Sequence, residues 1–104
     1  MRKIYKVGVI GTGDISTQYL TNAKNVKMFK DYYQIVAVAD LVVEKAQAKA
    51  AEFGVPKFGL PETVYDDPEI EIILNLTVPN AHEAVTIKAL ESGKHVYSEK
   101  PLAT

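Results

Sequence analysis

Residues 6–10, Lys6-Val7-Gly8-Val9-Ile10, make an almost unbroken apolar run that ends directly on Gly11-Thr12-Gly13. Such a run reads as a strand covered on both faces, because a strand with one wet face alternates apolar and polar residues. The glycines allow a tight turn, and Ile15, Tyr19, Ala23, Val26 and Phe29 follow at helical spacing. Strand, glycine turn and helix open a βαβ unit, and a parallel strand must come next.

The rest of the chain keeps that alternation. A second strand is predicted over Tyr33–Ala39, closing at Asp40, and then a helix over Glu44–Phe53. Ala46, Ala50 and Phe53 mark its buried side, Gly54 is a left-handed terminator, and Pro56 prevents continuation. Lys57-Phe58-Gly59 reads as a short strand, Pro61 to Tyr65 as a brief helix, and Asp66-Asp67-Pro68 as a turn. A further strand is predicted over Glu71–Thr77. Asn80 is then expected to cap a helix, with Glu83 completing a capping box. Ala84, Ile87 and Leu90/Glu91 step along that helix, Gly93 ends it, and a last strand runs over His95–Glu99 into Lys100-Pro101. The fold class implied is α/β, a doubly wound parallel sheet in one dinucleotide-binding domain over 1–104. Ligands of such sheets sit beyond the carboxyl ends of the strands, where the winding reverses.

Composition removes several alternatives. A net charge of −1 supplies no basic field for nucleic acid or an anionic membrane surface. The absence of cysteine excludes disulfides, thiolate chemistry and cysteine-ligated zinc. His82 and His95 lie too far apart for a local metal pair, and no apolar stretch approaches membrane-spanning length. No room for a leader is seen before the first strand, so the expected location is cytoplasmic.

Gly11-x-Gly13-x-x-Ser16 stands where a dinucleotide fingerprint must stand. Gly11 takes the turn, Gly13 leaves room for a pyrophosphate, and Ser16 replaces the usual Gly or Ala where helix and strand pack. N–H groups at the helix start attract phosphate. A glycine turn serving geometry alone is the plain alternative, and Asp40 at the end of the second strand counts against it. Asp40 is placed to accept from a ribose diol and would repel a 2′-phosphate. No arginine follows it, which favours NAD over NADP. The phosphate loop of nucleotide hydrolases, GxxxxGK[ST], is absent.

Four segments resemble the glucose-fructose oxidoreductase / inositol dehydrogenase / MocA family: Gly11-Thr12-Gly13-Asp14-Ile15-Ser16, Val36-Ala37-Val38-Ala39-Asp40, Thr77-Val78-Pro79-Asn80-Ala81-His82, and Glu91 to Pro101 with its Gly93-Lys94-His95-Val96 and Glu99-Lys100-Pro101 blocks. The resemblance runs from the first strand to the last residue. It implies a Rossmann domain followed by a C-terminal α+β substrate domain, which these residues do not include. It also implies hydride exchange between a nicotinamide and a hydroxyl or carbonyl carbon of a sugar, cyclitol or related small molecule, in a homo-oligomer.

By the same resemblance Gly11, Thr12, Gly13, Asp14, Ile15, Asp40, Thr77, Pro79, Asn80, His82, Glu99 and Lys100 meet the cofactor, and Lys100 is catalytic. The Lys100–Pro101 bond is cis in many relatives, whereas sequence alone makes cis the minority expectation for any X–Pro bond. For His82 a packed or loop-bonding histidine is the plainer reading. His95 reads as structural, and core packing is the simpler account of Tyr97 and Ser98. The chemistry of Lys100 suits its role: a lysine desolvated beside a nicotinamide exchanges a hydroxyl proton and polarises the oxygen.

A truncated sheet carries an open edge, so self-association is expected, and the isolated chain is not expected to turn over. The competing readings are a non-catalytic NAD(P)-binding sensor, which has no need of Lys100, and a receiver-like α/β domain. A receiver would want an acidic pair where the glycine loop stands.

Overall fold

The structure, a computed structural model, describes residues 4–11, 20–21, 32–77 and 79–98, the side chains of Pro79, Asn80, His82 and Ser98 excepted. Among these residues the strands are β1 (Tyr5–Ile10), β2 (Tyr33–Ala39), β3 (Lys57–Gly59), β4 (Ile72–Asn75) and β5 (His95–Ser98). The helices are α1 (Val43–Phe53), α2 (Pro61–Tyr65) and α3 (Pro79–Glu91). The strands form one sheet in the order β3-β2-β1-β4-β5, and every pairing is parallel. The chain winds outward from β1 through β2 to β3, then returns to β4 on the other side. The winding therefore reverses between β1 and β4, as the predicted doubly wound fold requires.

Both faces of the sheet are covered, which is why the strand sequences do not alternate. Ile10, Ala37, Ala39 and Ile73 pack with Val64 of α2 and with Val85 and Ala89 of α3. Val38 packs with Ala46 of α1 and with Leu20. Val9 and Ile73 have no exposed surface, and burying a Val or Ile fully is worth about 1.5–3 kcal/mol each.

The pairing of β1 with β2 contains one irregularity. Val7 lies opposite Ile35 but Gly8 lies opposite Ala37, so β2 carries Val36 as an extra residue. The shift brings Ala39 level with Ile10 and so puts Asp40 level with Gly11.

The predicted spans of β2, β3 and α2 match the observed ones, and Gly54 ends α1 in the left-handed conformation, at φ 70°. Four expectations are corrected. The strand predicted to reach Thr77 stops at Asn75. Helix α3 begins at Pro79, so Asn80 lies in its first turn and is not its cap; proline's fixed φ and missing N–H suit the first helical position. The buried side of α3 is Val85 and Ala89, whereas Ile87 and Leu90 are 49% and 59% exposed. Apolar residues lie all round this helix, so periodicity could not choose a face. Tyr97, expected in the core, is also largely exposed; Val96 takes that place.

Candidate nucleotide-binding site

The ends of β2, β1 and β4 bring Asp40, Gly11 and Thr77 into one row, in that order. Gly11 donates its N–H to Ala39 O (2.8 Å), and Leu76 donates to Ile10 O (2.8 Å). These bonds carry the parallel pairing one residue past the strand ends. Gly11 has φ +107°, and a Cβ there would lie 2.7 Å from the carbonyl carbon and oxygen of Leu76. Only glycine accepts both the conformation and that approach. The backbone at the start of the loop is therefore pressed against the backbone that leads to Thr77.

Asp40 follows β2, with its N–H donating to Gly59 O (3.1 Å). Its carboxylate Oδ1 accepts the N–H of Val42 (2.9 Å), a local turn that holds the side chain just before α1. Leu41 beside it is 70% exposed, an apolar surface at the rim.

After β4 the chain enters α3 within a few residues, and the junction is held by Asn75, the buried polar residue of the described core. Its Oδ1 accepts from Thr77 N (3.2 Å) and Thr77 Oγ1 (2.6 Å), and its Nδ2 donates to Thr86 Oγ1 of α3 (2.8 Å). Pro79, Asn80 and His82 all fall in the first turn of α3. The structure thus gathers Gly11, Asp40, Thr77, Pro79, Asn80 and His82 at the carboxyl edge of the sheet. Thr12, Gly13, Asp14, Ile15, Ser16, Glu99, Lys100 and the Lys100–Pro101 bond lie outside the described residues.

Sequence reasoning passed over Asn75 and Thr86. A polar residue inside the apolar run Ile72-Ile73-Leu74-Asn75-Leu76 was the available signal. It also passed over Lys94, whose Nζ donates to Asp67 O (2.6 Å) and Ile70 O (2.8 Å) at the opposite end of the sheet. There Asp67 also pairs with Lys57 (2.7 Å), and its Oδ1 accepts the N–H of Glu69 (2.9 Å). The acidic turn is thus bound up in holding structure, as the turn reading had it. Lys57 holds the Asp67 carboxyl below the usual carboxylate range, and Asp67 in return raises the Lys57 ammonium. No group of three or more His, Cys, Asp or Glu suited to a metal ion occurs among the described residues. No described helix is long and apolar enough to cross a membrane.

The features found, a glycine-only turn at the winding reversal and an anchored acid on the neighbouring strand, fit a dinucleotide. Comparison with known proteins agrees. The family model for the oxidoreductase family with an NAD-binding Rossmann fold matches residues 5–104. The inositol 2-dehydrogenase/D-chiro-inositol 3-dehydrogenase of Lacticaseibacillus casei is 35% identical over 103 residues, covering 97% of this chain and 29% of that protein. The structure of myo-inositol dehydrogenase from Lactobacillus casei in complex with NAD(H) and myo-inositol superposes with a TM-score of 0.83 at 33% identity, covering 96% of this chain and 29% of that one. Levoglucosan dehydrogenase in complex with NADH and L-sorbose gives a TM-score of 0.84 at 29% identity, covering 99% and 29%. The chain thus spans under a third of the length of the relatives it matches. With its winding reversal, its glycine-only turn and a family match over nearly every residue, the chain belongs to the oxidoreductase family with an NAD-binding Rossmann fold.

Proposed function

We propose that this chain is the NAD-holding part of a dehydrogenase acting on a hydroxyl-bearing carbon of a cyclitol, sugar or similar polyol. The observation that carries the reading is the row Asp40, Gly11, Thr77 across β2, β1 and β4. An acid for a ribose diol, a glycine turn for the pyrophosphate and a polar residue beyond it follow one another as the parts of NAD do. Asp40 would hold the adenosine ribose, with exposed Leu41 beside the base. Gly11 to Ile15 would hold the phosphates, and Thr77, Pro79, Asn80, His82 and Glu99 would line the nicotinamide half.

When bound, NAD supplies the acceptor or donor of a hydride. Lys100, just past β5, would take the hydroxyl proton of an alcohol or return it to a carbonyl oxygen. Asp40 disfavours a 2′-phosphate, which supports NAD over NADP, as do the NADH and NAD(H) complexes of the two solved relatives. Their myo-inositol and L-sorbose support a polyol substrate. Substrate choice would lie in the length those relatives have beyond these residues, in a separate C-terminal domain. A cytoplasmic homo-oligomer completes the reading.

The test is a parallel titration of the chain with NADH and NADPH, repeated with Asp40→Ala. Saturable NADH binding is expected, stronger than NADPH binding and weakened about tenfold by the substitution, the equivalent of one hydrogen bond to a charged group. Binding of neither cofactor would overturn the proposal. Equal binding of both, unchanged in Asp40→Ala, would overturn the assignment of Asp40.

A further inference from the structure

Asn75 lies at the carboxyl end of β4, level with Ile10 on one side and Ser98 on the other, and none of its surface is exposed. A polar side chain in that position is maintained only if its hydrogen bonds are made. The Thr77 backbone N–H can only donate, so the amide atom facing it must be the oxygen. That settles the orientation of the amide, with Nδ2 turned to Thr86.

The consequence falls on the Thr77 side chain. A hydroxyl has one hydrogen, and that of Thr77 is directed to Asn75 Oδ1 at 2.6 Å. What Thr77 offers to a ligand is therefore lone pairs. An ionised phosphate oxygen is also an acceptor, so the two are mismatched. A ribose hydroxyl or a carboxamide N–H is matched. Asp40 and the glycine turn stand on the β2 and β1 side of Thr77, which leaves the nicotinamide half of the dinucleotide to β4.

We propose that Asn75 is a positioning residue that makes Thr77 an acceptor-only contact for a hydrogen-bond donor on the nicotinamide half of NAD, its ribose hydroxyl or its carboxamide. Asn75 itself touches no ligand; it acts through Thr77 and, by its bond to Thr86, ties the middle of α3 to the end of β4. The proposal rests on the NAD reading above.

The experiment measures dissociation constants for NADH and for ADP, which lacks the nicotinamide half, on the chain and on four variants. Asn75→Leu and Thr77→Val should weaken NADH about tenfold, the value of one hydrogen bond, and change ADP less than about twofold. Asn75→Asp keeps an acceptor for Thr77; Thr77→Ser keeps the hydroxyl. Both should hold the ratio of NADH to ADP affinity near that of the parent chain. ADP binding also reports that each variant is folded, and the Thr77 pair decides the matter if a change at Asn75 prevents folding. Equal losses for both ligands in Asn75→Leu and Thr77→Val would reduce Asn75 to a structural role and overturn the proposal. Unchanged NADH affinity would do the same while leaving the NAD reading intact. Failure of the parent chain to bind NADH would end both.

Discussion

The two ends of the sheet are built from different materials. At the amino end the fixing groups are charged: Lys94 donates to Asp67 O and Ile70 O, and Lys57 pairs with the Asp67 carboxylate. At the carboxyl end the buried fixing group is neutral, one amide, Asn75, joining β4, Thr77 and α3. The charged contacts close on the protein itself and hold a turn to the starts of β4 and β5. The neutral ones lie beside the glycine turn and Asp40, where the proposed nucleotide site is. One end is a fastening and the other a seat. Separating stability from ligand affinity by mutation tests that division.

The largest effect is expected at Gly11, where fastening and seat coincide. Gly11→Ala sets a Cβ against the Leu76 carbonyl and strains a left-handed backbone. It should cost about 3 kcal/mol of stability, read from denaturant unfolding, and remove NADH binding. A variant that binds normally would mean the turn yields, and the contrast between rigid seat and rigid fastening would lose its basis.

Lys94→Met sharpens the contrast from the other end. Losing two charged hydrogen bonds to carbonyls should cost about 1–2 kcal/mol, yet NADH affinity under conditions where the variant remains folded should stay within about twofold of the parent chain. Weaker NADH binding there would show that the amino end reaches the seat through β5.

The smallest effect concerns Asp67. Its carboxyl is held low first by the Lys57 hydrogen bond, so its contribution to stability is present above the ordinary carboxylate range and disappears as pH falls through the lowered value. Asp67→Asn should lower Tm by a few degrees at neutral pH, since the pair is partly solvated. The gap should close on acidification, in thermal melts from pH 7 down to pH 2. A gap that stays constant would assign the effect to turn geometry.

These contrasts also show what can be read from sequence. The apolar runs of β1, β2 and β4 announce a sheet covered on both faces; Gly11 shows itself because its position admits no side chain, and Asp40 because it closes an apolar strand. Helix α3 is harder: with Ala84, Ile87 and Leu90 on one side and Val85 and Ala89 on another, burial is decided by the sheet it meets. Asn75 and Lys94 escape because their importance is relational. An asparagine amide or a lysine ammonium has meaning only through partners 2, 11, 24 or 27 residues away, brought close by folding. Thr77 was legible as a candidate, but the direction of its hydroxyl was not.

Val36, the extra residue in β2, bears on how such a site can be altered. It works as a spacer that sets the reach between the glycine turn and the acid that would select the cofactor. Remaking the cofactor preference by exchanging the Asp40 region with that of another protein therefore demands a matching count of residues in β2. A donor segment one residue shorter that kept the bulge would leave Asp40 level with Ile10, short of Gly11, and turn the flanking side chains to the opposite face. The graft would then fail through its length even if every residue chosen for contact were right.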